Sequence, residues 1–103
     1  MRQLSLIIRK QAQQDMTDFL RAMPQVHGFT LSHVEGHGEQ AEDDPFLSAR
    51  DKVVGYTPRV RVDVVLSAVD VDVVISALKE AVADGSIKSA YYWVATVESA
   101  GHL

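Results

Sequence analysis

The stretch from Arg59 to Leu66, Arg-Val-Arg-Val-Asp-Val-Val-Leu, restricts the possible folds of this chain more than any other. Val60, Val62, Val64 and Leu66 fall on one side of an extended backbone and Arg59, Arg61 and Asp63 on the other, because successive side chains of a strand point to opposite faces. Such a strand belongs in a sheet with one apolar face, and that face needs a cover. Pro58 is tolerable at the strand's start.

Flanking segments supply the remaining layers. Gln3 to Arg9 reads as a strand with Leu4, Leu6 and Ile8 on one side and Ser5 and Ile7 on the other. From Gln13 to Met23 the period changes: Met16, Phe19, Leu20 and Met23 stand at i, i+3, i+4 and i+7, one stripe of a helix, with Gln13, Gln14, Asp18 and Arg21 on the wet side. Pro24 ends that helix and Gly28 permits a sharp re-entry. Phe29 to about His37 alternates again and turns polar toward its end. Asp70 is the expected N-cap of a second helix carrying Val71, Val74, Ile75, Leu78 and Val82, with Gly85 suited to a left-handed C-terminal position. Tyr91 to Val97, aromatic and β-branched, is the last strand. The order β-α-β, long loop, β-α-β predicts an α+β fold. It is a ferredoxin-like βαββαβ sandwich, a four-stranded antiparallel sheet with two helices on one face and a mobile loop at about residues 39–55 between strands 2 and 3. Its 103 residues suit a single domain.

Composition removes several classes of function. Ten Lys plus Arg against 14 Asp plus Glu leave a net charge of −4, which argues against nucleic acid and anionic membranes as partners. Without cysteine there is no disulfide or thiolate site. No apolar run is long enough to insert into a bilayer, and the N-terminus lacks a secretory h-region, so the expected location is cytoplasmic. Two helices on one face leave the other bare, yet the outer strands carry apolar residues on both faces; a homo-oligomer would cover them.

Several groups could carry chemistry. His33, Glu35 and His37 form His-x-Glu-x-His on one face of a strand, spaced by roughly 7 Å, a donor set suited to zinc, nickel or copper(II) and equally readable as a polar strand end. Glu39, Glu42, Asp43 and Asp44 could attract a cation or a basic partner, or simply keep the loop solvated. Phe46 could anchor a partner or tuck against its own domain. Gly36, Gly38 and Gly85 could bring amides close to a ligand, or serve only their turns. Tyr91, Tyr92 and Trp93 could stack on a base; sheet core and oligomer interface is the plainer reading. No Ser-His-Asp ordering, carboxylate pair or phosphate loop suggests catalysis, so the chain is expected not to be an enzyme.

The run GFTLSHVEGHGEQ, the long loop, VVGYTPRVRVDVVL and the later ADGSI together resemble the PII (nitrogen regulatory protein) signal-transduction superfamily over nearly the whole chain. Gly36, Gly38 and Gln40 stand where that family has its glycine-flanked aromatic and a Gln, and Pro58, Arg59, Val60 and Arg61 resemble its Pro-Lys-Val-Lys strand. The resemblance implies a homotrimer whose T-loop docks on a partner protein and whose subunit clefts bind adenine nucleotides or other small effectors. It places Gly36, His37, Gly38, Gln40, Arg59, Gly85 and Lys88 in the effector site, and Glu42, Asp43, Asp44, Phe46 and Arg50 in the docking loop. The chain departs from the family at its phosphate loop: Thr-Gly-x-x-Gly-Asp-Gly-Lys is replaced by Asp84, Gly85, Ser86, Ile87, Lys88, Ser89, Ala90 and Tyr91. The Arg pair after the last strand is missing, and Lys52 takes the approximate place of the modifiable tyrosine, so uridylylation does not carry over. Within the superfamily the chain resembles a divergent proteobacterial branch of undefined function, often linked to heavy-metal efflux. That link suggests a transporter or efflux component as partner, and an alternative role as a metal-binding accessory using His33, Glu35 and His37 with a divalent transition metal.

Overall fold

The third strand pairs on both sides, and the sheet grows from it. The computed structural model describes residues 1–37 and 57–103. Along these run β1 (Arg2–Arg9), a 3-10 turn (Lys10–Ala12), α1 (Gln13–Ala22), β2 (Thr30–Gly36), β3 (Thr57–Leu66), α2 (Ala68–Ala83) and β4 (Tyr91–Thr96). The strands form one antiparallel sheet in the order β2-β3-β1-β4. This is the expected ferredoxin-like arrangement.

Register explains the core. Leu4, Leu6 and Ile8 lie opposite Val64, Val62 and Val60, and none of the six is more than 2% exposed. Onto this apolar face pack Met16 and Leu20 of α1 and Val71, Val74, Leu78 and Ala81 of α2, forming one cluster. Ile87, just past α2, joins it.

Local chemistry sets the helix ends. Met23 is extended (φ −87°, ψ 123°), the geometry Pro24 demands of the residue before it, so α1 stops at Ala22. The second helix begins one turn earlier than Asp70 would have it. Ser67 is the N-cap, its hydroxyl accepting the Asp70 amide at 3.2 Å, while Asp70 sits in the first turn, where the exposed amides favour its charge. Gly85 follows the helix at φ +84°, as anticipated. Helical spacing from Val71 puts Val82 on the core stripe, but Ala81 is the buried residue and Val82 is 38% exposed. The line through Val71, Val74, Leu78 and Ala81 already faces the sheet, so Val82 is rotated toward its margin.

The reading of Tyr91, Tyr92 and Trp93 as sheet core needs correction within one protomer. Among the described residues, strand β4 pairs only with β1 and forms an edge, with Tyr91 70% exposed and Tyr92 43% exposed. Among the described residues, no helix is long and apolar enough to cross a membrane.

Candidate functional site at one end of the sheet

Antiparallel pairing gathers four strand ends on one side. Gly36 closes β2 opposite Thr57, which opens β3; Arg9 closes β1 opposite Arg59; and Ile7 lies opposite Tyr91, which opens β4. The base of the long β2–β3 connection and the segment joining α2 to β4 therefore share one end of the sheet. Three strand spacings separate them, roughly 14 Å. Of the expected effector residues, Gly36, His37 and Arg59 lie at one side of this end, and Gly85 and Lys88 lie in the segment that leads into it. Gly38 and Gln40 fall outside the described residues, as do the docking-loop candidates Glu42, Asp43, Asp44, Phe46 and Arg50.

Close packing accounts for the glycine at the strand end. A Cβ on Gly36 would lie 2.9 Å from both Arg59 Cγ and Thr57 Oγ1, tighter than non-bonded carbon contacts allow. The Thr57 hydroxyl also donates to the Gly36 carbonyl at 3.3 Å, which clasps the two ends of the connection.

Beside this clasp lies a hollow of about 330 Å³ lined by Lys10, His33, Val34, Glu35, Pro58 and Arg59. Two cations and a carboxylate around a cavity of this size suit a small polar or anionic ligand. Lys10 was not among the expected site residues. It is 49 positions from Arg59, yet the βαββαβ order puts the end of β1 beside the start of β3, and that adjacency was the signal available.

The three proposed metal donors are only partly assembled. Glu35 Oε2 and His37 Nε2 are 3.4 Å apart, and His33 shares the Glu35 face of β2. Among the described residues no group of three His, Asp or Glu side chains is placed to hold a metal ion. Both members of the close pair are well exposed, which makes it weak on its own.

At the other side, the segment after α2 has already committed its amides. The Asp84 N–H donates to Glu80 O, Gly85 N–H to Val82 O and Ile87 N–H to Ala81 O. The Ser86 N–H donates to the Asp84 carboxylate at 2.8 Å, and so does the Ser86 hydroxyl; these two bonds hold the Asp84 carboxyl below its usual value. An amide cradle for phosphate needs free N–H groups pointing at the ligand, and here four successive positions spend theirs internally. Lys88 remains as a point charge.

The sheet face away from the helices carries a network that alternation alone did not reveal. Ser5 lies opposite Asp63. The Asp63 carboxylate accepts from Ser5 Oγ at 2.7 Å, Gln3 Nε2 at 2.9 Å and Arg61 Nε at 3.0 Å. Burial raises its pKa, but these three donors and the Arg61 charge outweigh that and hold it below the ordinary value. The Arg61 guanidinium carbon also sits 5.1 Å from the Trp93 ring centre, within cation–π range, and Tyr91 lies 6.2 Å from Trp93.

Comparison with known proteins adds to this geometry. A family model described as "Protein of unknown function (DUF3240)" matches residues 1–103. The chain is 29% identical over 97 residues to "Nitrogen regulatory protein P-II 1" of Methanothermobacter thermautotrophicus, covering 94% of this chain and 84% of that one. It is similar in fold to a DUF3240 family protein from Shewanella baltica seen in a crystal structure, with a TM-score of 0.75, 19% identity, and coverage of 99% of this chain and 94% of that one.

Proposed function

The chain belongs to the DUF3240 family, and from that membership and its likeness to a nitrogen regulatory P-II protein we propose that it is a PII-like regulator rather than an enzyme. In this reading three copies assemble through their open sheet faces in the cytoplasm. A small anionic effector enters the cleft at the gathered strand ends, and the segment between β2 and β3 reports its presence to a partner protein. The observation that carries the reading is the meeting of Lys10, Glu35, Pro58 and Arg59 around one hollow, next along the strands from the Gly36–Thr57 clasp. A ligand bound there touches the end of β2 and the start of β3, the two strands that carry the connection, so it can favour one of its conformations over others.

Isothermal titration with ATP, ADP, AMP and cyclic nucleotides tests the site. At least one is expected to bind, and changing Lys10 and Arg59 together to Ala should weaken it at least about 10-fold, since each removes a charge-assisted contact. Failure of all of them to bind, or an unchanged affinity in the double variant, would overturn the effector site. Light scattering tests the assembly: the expected mass is about three times the 11.3 kDa of one chain, and a monomeric mass at micromolar concentration removes the cleft.

The Glu35–His37 contact favours a second reading, a metal-handling accessory. Zinc titration separates the two. If the accessory reading holds, the metal-stripped protein binds zinc and loses that affinity on changing His33 and His37 to Ala. An isotherm unaffected by those changes removes it.

A further inference from the structure

The helix-covered side of the sheet contains a hollow that its own side chains leave unfilled. It has a volume of about 200 Å³, lies between α2 and the edge strand β4, and is lined by Leu6, Ile75, Leu78, Lys79, Val82, Ser89, Ala90 and Tyr92. The buried Leu6 and Leu78 belong to the core; Val82 and Tyr92 are partly exposed. The hollow exists because the row of α2 facing the sheet is Val71, Val74, Leu78 and Ala81, while Ile75 and Val82 look past it toward β4, which has no further neighbour among the described residues. Its other wall, Ser89 and Ala90, belongs to the segment entering β4. An apolar cavity of about 150 Å³ is enough to admit benzene, so this one has room for a ring and a short substituent.

Lys79 is the one formally charged residue in that lining. It forms no ion pair or hydrogen bond among the described residues. Its helix neighbours three and four positions away are Ser76, Val82, Ile75 and Ala83, so no carboxylate on α2 is placed to neutralise it. In a chain of net charge −4, this ammonium group at an apolar hollow is not part of a general basic surface. Ser89 and Tyr92 add hydroxyls that can donate to an anion.

We propose that this hollow is a binding site for a small apolar monocarboxylate, whose ring or short acyl chain rests on Leu6, Ile75 and Leu78 and whose carboxylate pairs with Lys79. The site lies on the opposite side of the sheet from the Asp63 network and does not depend on the regulatory reading above. The hydrocarbon part supplies affinity by leaving water, and the lysine selects the acid over a neutral molecule of the same shape.

The test is a titration of the full chain with phenylacetate and, separately, phenylacetamide, followed by backbone amide NMR shifts. Saturable shifts from phenylacetate are expected in residues 75–82 and 89–92, with affinity at least about 10-fold higher than for the amide. Lys79→Met keeps the apolar stem and should bring the two ligands to equal, weak affinity. Ala90→Leu fills the hollow and should abolish both responses, with circular dichroism confirming the fold. Equal affinities in the unchanged protein, shifts centred on other residues, or no saturation at millimolar ligand overturns the proposal. If Ala90→Leu instead lowers the oligomeric mass, the hollow seats a second copy and the proposal is also wrong.

Discussion

Replacing Leu4 by alanine should destabilise the fold by about 2–5 kcal/mol. Leu4 is fully buried on β1, a central strand, where it lies between Val64 of β3 and Val94 of β4. Truncation removes its transfer energy and leaves a cavity that two hydrogen-bonded neighbours cannot close by moving inward. A domain of this size is held by about 5–15 kcal/mol in total, so the loss is a large fraction. Urea denaturation should show a lower midpoint with an unchanged slope. Val69→Ala, at a 73% exposed position of α2, should change stability by no more than about 0.5 kcal/mol. A Leu4→Ala cost as small as that of Val69→Ala would mean that β1 does not run through the core.

Asp63→Ala is expected to cost about 1–3 kcal/mol at neutral pH, because it strips the acceptor from three donors at once. One of these, Ser5, is fully buried beneath it, and its hydroxyl loses a partner that only an entering water can replace. The pH dependence follows from the sign of the shift. Asp63 has a folded pKa below its unfolded value, so its stabilising contribution is complete above the unfolded value and disappears as pH falls through the folded one. The difference in stability between the parent protein and Asp63→Ala should therefore be full at pH 7 and shrink steadily below about pH 4. Denaturation curves at several pH values provide the check. A difference that does not change with pH would show that the ionised carboxylate is not what the network rests on.

Much of the architecture was legible because its alternating strands and striped helices each have one apolar side, so the strands from Leu4 and from Arg59 announced both their type and their inward face. What escaped was information that pairing creates. Asp63 was correctly assigned to the outer face, but alternation cannot show that Ser5 and Gln3 stand ready across the ladder to bind it. Strand order places β4 at the edge and the ladder places Tyr91 opposite Ile7, on the face away from the helices; together these leave Tyr91 at the surface of the protomer. Ser67 and Asp70 are both capable caps three residues apart; the first takes the position and the second serves the first turn, a division visible only once the amide has a partner. Lys10 escaped through its distance in sequence from Arg59. The likeness to PII proteins was readable from GFTLSHVEGHGEQ and Pro58 to Arg61. The exhaustion of the amides from Asp84 to Ile87 required backbone coordinates.

The Gly36–Thr57 clasp separates two kinds of constraint on this chain. The 20 residues between them start and end on a single rung, so their number enters the sheet's stability through the entropy of bringing those two ends together. That term grows only with the logarithm of length: a four-residue hairpin in their place would differ by about 1.4 kcal/mol, in favour of the shorter loop. Closure entropy therefore favours a shorter connection, by a modest margin. In terms of closure entropy alone, a change in the number of residues between Gly36 and Thr57 costs the four-stranded scaffold little, so that length is open to selection for something other than stability.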